Sequence, residues 1–299
     1  MMKPFKTLIA ALLISTGLAG LASAQPAMWT LSDEDTTINI IGTVHLLPED
    51  TQWRSEQINE AFEAAQTVCF ELDAEARALE VAGMTFRPGL GLFSGGDRLE
   101  NHLTEDQATE LRQLAEYYGI PFTSLNVMKP WVISIMLQEY ATDQMGLGDG
   151  VEFTLYPEVR ETGKTLCELE TPDEQIGGFA RMPLQDQIDM LFLKPEGTED
   201  FSIEELVAYG EDEFDDLVED WIEGDIEALD ELINEEAESS EVFHKALLAD
   251  RNTRWVPRIE AMLEEKSGHI FIAVGAAHLA GDDSVITMLR NKGYKIDGP

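Results

Sequence analysis

Apolar residues follow two patterns in this chain: short continuous runs near both ends and helical spacing in the middle. The runs over residues 37–41 and 269–274 are apolar almost throughout, which predicts strands buried on both faces. A helix over residues 52–66 and a strand over residues 67–72 follow the first run. This order of strand, helix and strand is typical of a parallel α/β unit. Residues 28–33 are predicted to pair with the first strand as a hairpin.

The middle of the chain is predicted to be mainly helical. One long helix, broken in part by Pro130, spans residues 124–145, and a short strand at residues 164–169 interrupts the helices. The sequence therefore predicts an α/β fold with a central, mostly parallel sheet flanked by helices. A single domain spans residues 25–299, with a mainly helical insertion at about residues 104–266.

The apolar runs at the two ends are followed by the same short motif. Gly42 precedes His45 by three residues, and Gly275 precedes His278 by the same spacing. Ligands of open α/β sheets bind at the carboxyl ends of the strands, so we expect the two histidines to share one site. Chance, or an ordinary buried histidine, explains each motif taken alone. The duplication, with a matched strand before each copy, favours the shared site.

Candidate carboxylates also follow predicted strands. Two histidines and one carboxylate leave an open coordination position on a divalent metal, as hydrolytic metal sites require. Glu71 is the preferred carboxylate, because it ends the strand that we expect beside the strand delivering His45. Glu168 and Glu170 end the central strand in the same way. The chain has 58 acidic residues, so some are expected at strand ends by chance.

Positively charged groups for such a site are scarce. The chain has 20 basic residues against 58 acidic ones, a net charge of −38. Such a surface repels nucleic acid and anionic lipid, and we interpret it as adaptation to a salty medium. Arg251 stands in a strongly acidic helical region, where it either stabilises an oxyanion at the site or forms a surface ion pair.

The first 24 residues have the pattern of a secretory signal peptide. A basic start, an apolar stretch over residues 8–21 and a small-x-small sequence predict cleavage after Ala24. We therefore expect a periplasmic or secreted protein. No later stretch approaches the ~20 apolar residues that a membrane-spanning helix needs.

The two cysteines, Cys69 and Cys167, both lie in short apolar runs. Export permits a disulfide. Cysteines inside strands are more often buried thiols, so we expect these two to be free.

Taken in order, these motifs resemble the TraB/GumN family, which is related to the Tiki proteases. Beside the paired Gly-x-x-His motifs, the matching stretches are Glu71-Leu72-Asp73, Lys129-Pro130-Trp131, Gly150-Val151-Glu152, Leu169-Glu170-Thr171 with Glu174-Gln175, Arg251-Asn252, and His278-Leu279-Ala280-Gly281 with Gly293-Tyr294. The resemblance covers nearly the whole mature chain. It implies a fold akin to erythromycin-esterase-like and ChaN-like proteins, and a metal-dependent hydrolase or peptidase activity. The functional residues that it implies are His45, Glu71, Arg251 and His278.

Two functions fit these observations. In the first, an exported peptidase-like hydrolase holds Mn, Co or Zn through His45, Glu71 and His278, and Arg251 stabilises the oxyanion. Glu170 and Arg251 would contact the peptide or small ester substrate. In the second, a non-catalytic periplasmic protein binds haem, a metal or a peptide in the same cleft. A metal-free hydrolase, with a histidine as general base, is also open.

Overall fold

The protein is described here from a computed structural model, which covers residues 25–195, 197–198, 200–239, 241–265 and 267–299. The predicted signal peptide lies outside the described residues. The strands are β1 (Met28–Ser32), β2 (Thr36–Thr43), β3 (Leu46–Leu47), β4 (Thr67–Phe70), β5 (Gly148–Asp149), β6 (Thr165–Glu168), β7 (Gly268–Gly275) and β8 (Ile296–Asp297).

Helices account for most of the remaining described chain. The α-helices are α1 (Glu56–Ala64), α2 (Ala74–Thr85), α3 (Glu105–Tyr117), α4 (Phe122–Leu125), α5 (Pro130–Met145), α6 (Val151–Thr162), α7 (Pro172–Arg181), α8 (Leu184–Leu191), α9 (Ile203–Glu223), α10 (Ile226–Ser239), α11 (Glu241–His244), α12 (Asp250–Glu265) and α13 (Val285–Asn291). A π-helical turn, Lys245–Ala249, leads into α12, and short 3₁₀ turns lie at Leu99–Asn101 and Ala276–His278.

The described strands form a six-stranded sheet in the order β6-β4-β7-β2-β1-β8, beside a small pair of β3 and β5. β6, β4, β7 and β2 run parallel, while β1 and β8 are antiparallel to their neighbours. The predicted mostly parallel sheet and the hairpin of β1 and β2 are therefore confirmed. β2 and β7 pair directly, with Gly42 opposite Val274 and Thr43 opposite Gly275.

One prediction about neighbours is wrong. We expected the strand that ends at Glu71 to lie beside the strand that delivers His45, because consecutive strands are often neighbours. Instead β7, which comes from the far end of the chain, lies between β4 and β2. Its residues Ile270 to Val274 are all buried, which suits a central strand with both faces covered.

Alternate residues of the central strands pack against two different layers of helices. On one face, Ile270 and Ile272 contact the apolar side of α12 and α13. On the other face, Phe271 and Ala273 belong to a cluster built from α1, α6 and α9. The sheet is thereby fixed between two layers, and its carboxyl edge is left for polar side chains.

The segment over residues 104–266 is mainly helical among its described residues, and β5 and β6 interrupt it. The helix predicted over residues 124–145, with a partial break at Pro130, is two separate helices, α4 and α5. Proline has no backbone N–H to donate and disfavours a helical conformation in the residue before it. Lys129 is accordingly extended, with ψ of 149°, and α5 begins at Pro130. Whether residues 25–299 form one domain stays a prediction.

Cys69 and Cys167 form a disulfide, so the expectation of free thiols is wrong. The two residues are direct partners in the register of β4 and β6, with Cα atoms 4.5 Å apart. The expectation failed because the sequence alone does not show that these two strands are neighbours. None of the described helices is both long and apolar enough to cross a membrane.

The disulfide gives the first prediction. The denatured but unreduced protein should show no free thiol in a thiol titration, and two after reduction. Replacing both cysteines by alanine should lower the free energy of unfolding by about 2–4 kcal/mol, since the crosslink restricts the unfolded chain. Two titratable thiols before reduction would contradict the pairing of Cys69 and Cys167.

Candidate functional site

Four of the residues singled out in the sequence follow parallel strands at the carboxyl edge of the sheet. His45 follows β2, Glu71 follows β4, Glu170 follows β6 and His278 follows β7. Because these strands are parallel, their carboxyl ends meet at one edge. The structure therefore brings residues from opposite ends of the sequence to the same side of the sheet, as expected.

Arg251, in the first turn of α12, joins two of these residues. Its Nη2 donates to Glu71 Oε2 at 2.5 Å and also to Glu170 Oε1. Its Nε donates to both carboxylate oxygens of Glu170, at 3.0 and 3.1 Å. All three side chains are buried. Arg251 therefore points toward the site, and the alternative prediction of a surface ion pair is wrong.

The Glu71 carboxylate is held on both oxygens. Oε1 accepts the backbone N–H of Gly275 at 2.7 Å, and Gln175 donates to Oε2 at 3.4 Å. Burial acts to raise the pKa of Glu71, but the charge of Arg251, the two histidines and the Gly275 N–H outweigh it and hold the pKa well below its usual range. Burial dominates at Glu170, whose pKa is raised despite Arg251. Glu71 is therefore the stronger acid of the two.

His278 lies beside Glu71 in a dry environment. The side chain of His278 is 4 % exposed, and its Nε2 is 3.7 Å from Glu71 Oε1. Nδ1 lies 2.6 Å from Asn252 Oδ1, and the ring packs on Trp255 with centroids 4.2 Å apart. Burial, together with the positive charge of Arg251, lowers the pKa of His278 to about 3, so the imidazole is neutral at neutral pH.

His45, in the other copy of the motif, has a different environment. Its side chain is 63 % exposed, and its Nδ1 lies 2.9 Å from Glu152 Oε1. Glu152 also accepts from the Thr43 hydroxyl, so it is fixed in place. Its negative charge raises the pKa of His45 above the usual value, an effect that solvent screens at so exposed a side chain.

Gly150 brings Glu152 close to His45. Its N–H donates to the His45 carbonyl at 3.0 Å. A Cβ atom at this position would lie 2.2 Å from the backbone of His45, so only glycine permits the contact. α6 begins at the next residue and carries Glu152 in its first turn.

The predicted metal ligands are not all brought together. Within the described residues, no three His, Cys, Asp or Glu side chains converge in a way that could hold a metal ion. His278 and Glu71 form a close pair, whereas the Nδ1 of His45 is directed to Glu152. Glu168 accepts from the backbone N–H of Asp73 at 3.1 Å. The roles proposed for these residues stay predictions.

Sequence reasoning missed three polar residues of the site. Asn252 contacts His278, Gln175 bridges Glu71 and Glu170, and Glu152 contacts His45. Each lies in or next to a stretch that resembles the TraB/GumN family, and that position was the only signal available for them. The contacts of Glu152 with His45 and of Gln175 with Glu71 join residues more than 100 positions apart, so spacing gives no sign of them.

Comparison with known proteins identifies the family. A profile of the TraB/PrgY/gumN family matches residues 27–297. The chain belongs to the TraB/PrgY/gumN family. Among the relatives of this TraB/PrgY/gumN protein is the uncharacterized protein YbaP of Escherichia coli K12, 22% identical over 260 residues, which cover 84% of this chain and 87% of YbaP. The YbaP of Shigella flexneri is 21% identical over the same shares.

A shorter similarity connects this family member with metalloproteases. It is 39% identical over 56 residues to the metalloproteases TIKI1 of Danio rerio and TIKI2 of Xenopus tropicalis. The matched segment covers 18% of this chain and 11% of each relative. No solved structure matches the chain. The erythromycin-esterase-like fold therefore stays a prediction.

The second prediction concerns the buried ion cluster. Replacing Arg251 by methionine leaves two buried carboxylates without their cation and should lower the free energy of unfolding by about 3–5 kcal/mol. Arg258→Met, in the same helix, is the matched control, because Arg258 is 38% exposed and pairs with the half-buried Glu174. The Arg258→Met substitution should lower the free energy of unfolding by about 1 kcal/mol or less. Urea unfolding at pH 7 measures both values.

The pH dependence of the Arg251→Met variant makes the test more specific. Without the guanidinium, burial raises the folded-state pKa of Glu71 and Glu170 above the unfolded-state values. The folded variant then binds more protons than the unfolded chain, so its stability should fall as pH rises through the raised folded pKa. The difference in free energy of unfolding between the wild type and the variant should therefore become smaller as the pH falls. Equal losses for both arginine variants, or a deficit independent of pH, would contradict the assignment.

Proposed function

We propose that the chain is an exported metal-dependent hydrolase with peptidase-like activity. The observation that carries the proposal is the pair of His278 Nε2 and Glu71 Oε1, 3.7 Å apart beside the buried charge of Arg251. Family membership and the partial similarity to Tiki metalloproteases support the same class of reaction. The predicted signal peptide supports export, and the disulfide is typical of oxidising compartments.

The chemistry of the donors fits a divalent ion. The separation of 3.7 Å is too long for a hydrogen bond. It is close to the about 3.4 Å between two ligands that bind one tetrahedral ion at about 2.1 Å. His45 is the proposed third donor, through the Nε2 that is not bonded to Glu152; among the described residues its ring does not converge with the pair, so binding one ion would require it to move. Two imidazoles and a carboxylate are a donor set that Mn, Co and Zn all accept.

When bound, the ion would polarise a water molecule and the substrate carbonyl. The residues of the chain prepare the site for this. Burial keeps His278 neutral, so a lone pair is available to a metal or a proton. Arg251 keeps Glu71 ionised and in place, and its positive charge favours negative charge developing nearby. A peptide or small ester is the proposed substrate, and its contact with Arg251 and the buried Glu170 stays a prediction.

The third prediction tests this function. His278→Ala and Glu71→Gln should each lower kcat/KM by at least about 100-fold, because each removes a group on which the chemistry depends. The measurement is a peptidase and esterase panel on the mature protein, with and without added Mn²⁺, Co²⁺ or Zn²⁺. His269→Ala is the control, because His269 is exposed at the opposite end of the same strand, β7.

Elemental analysis of the purified protein separates the alternatives. A bound divalent metal that both variants lose supports the proposal. A wild type that turns over no substrate with any metal, yet purifies with a ligand that His278→Ala loses, would be a binding protein. Full activity in both variants would refute the catalytic assignment.

A further inference from the structure

We infer that Asn252 is a positioning residue that fixes His278 as the tautomer with its proton on Nδ1 and its lone pair on Nε2, facing Glu71. The tautomer follows from hydrogen bonds alone. Its consequence for metal binding rests on the proposed function.

The argument begins at the Asp283 backbone carbonyl, which can only accept a hydrogen bond. Asn252 Nδ2 lies 2.8 Å from this oxygen and donates to it. An asparagine amide has a donor end and an acceptor end, so this contact decides which end faces the other way. Asn252 is 1% exposed, so the donors and acceptors that it needs come from protein groups.

The acceptor end of Asn252 faces the imidazole. Its Oδ1 lies 2.6 Å from His278 Nδ1, which must therefore carry the proton. The opposite tautomer would require the amide to turn over. Its oxygen would then face the Asp283 carbonyl, and two acceptors would meet in a buried position. The Asp283 carbonyl thus determines, through Asn252, which nitrogen of His278 is protonated.

The other side of the ring is arranged for the free nitrogen. Trp255 packs on the imidazole and limits its rotation. Gly275 leaves room beside it, because a Cβ there would lie 3.0 Å from Glu71 Oε1 and 3.6 Å from His278 Cδ2. Nε2 and the Glu71 carboxylate therefore present lone pairs to one another, and a cation or a water molecule is the group that satisfies both.

The wild-type protein alone can test the tautomer. Histidine labelled with ¹⁵N gives long-range ¹H–¹⁵N correlations that distinguish protonated from unprotonated ring nitrogens. The chain has five histidines, and the signals missing from His278→Gln identify those of His278. We expect a protonated Nδ1 and an unprotonated Nε2 at neutral pH without metal. A proton on Nε2 would overturn the inference, and this result does not depend on any variant folding.

Asn252→Leu tests the cause. It keeps a similar volume and removes both hydrogen bonds, so His278 should lose its single tautomer. Asn126→Leu is the matched control, because Asn126 is also buried and bonds Glu100 through both ends of its amide. The control should leave the His278 signals unchanged. An unchanged tautomer in Asn252→Leu would overturn the role of Asn252.

Zn²⁺ affinity, measured by competition with a chelator, tests the consequence. Loss of a residue that orients a metal-ligating histidine typically weakens metal binding 10–100-fold. We therefore expect Asn252→Leu to weaken Zn²⁺ binding by about this factor and Asn126→Leu to leave it unchanged. Equal Zn²⁺ affinities in the wild type and Asn252→Leu would overturn the positioning role. If the wild type binds no Zn²⁺, the proposed metal fails, while the spectrum still decides the tautomer.

Discussion

The site depends on one buried guanidinium that binds two carboxylates from neighbouring strands. Arg251 links Glu71, which follows β4, to Glu170, which follows β6. Two carboxyl groups that are buried side by side need a neighbouring cation if either of them is to be ionised. Since α12 also carries Asn252 and Trp255, the contact that anchors Arg251 places the partners of His278 as well. One interaction therefore aligns two strands, a helix and an imidazole.

The two Gly-x-x-His motifs are alike in sequence and differ in chemistry. Parallel pairing of β2 and β7 brings both to the same edge. His278 is enclosed by Asn252 and Trp255 and is neutral, whereas His45 is exposed beside the carboxylate of Glu152. The neighbours of each ring set these properties, because burial and nearby charge decide which protonation state is favoured.

Much of the fold could be predicted from the sequence, since local pattern determines it. Continuous apolar runs predicted β2, β4 and β7, and the histidines that follow predicted the edge where the polar residues lie. The order of the strands in the sheet could not be predicted from the sequence, because β7 pairs with residues more than 200 positions away. The same limitation concealed the disulfide and the contact of Asn252 with His278. These depend on which elements become neighbours, and neither spacing nor composition reports that.

The most direct test is a crystal structure of the mature protein soaked in Mn²⁺, with the ion located by anomalous scattering. If the buried cluster prepares Glu71 and His278 for a shared ion, a single strong peak should lie about 2.0–2.3 Å from Glu71 Oε1 and His278 Nε2. The hydrogen bonds from Arg251 to Glu71 and from Asn252 to Asp283 should remain. A saturated crystal whose anomalous peaks all lie away from this pair would contradict the account.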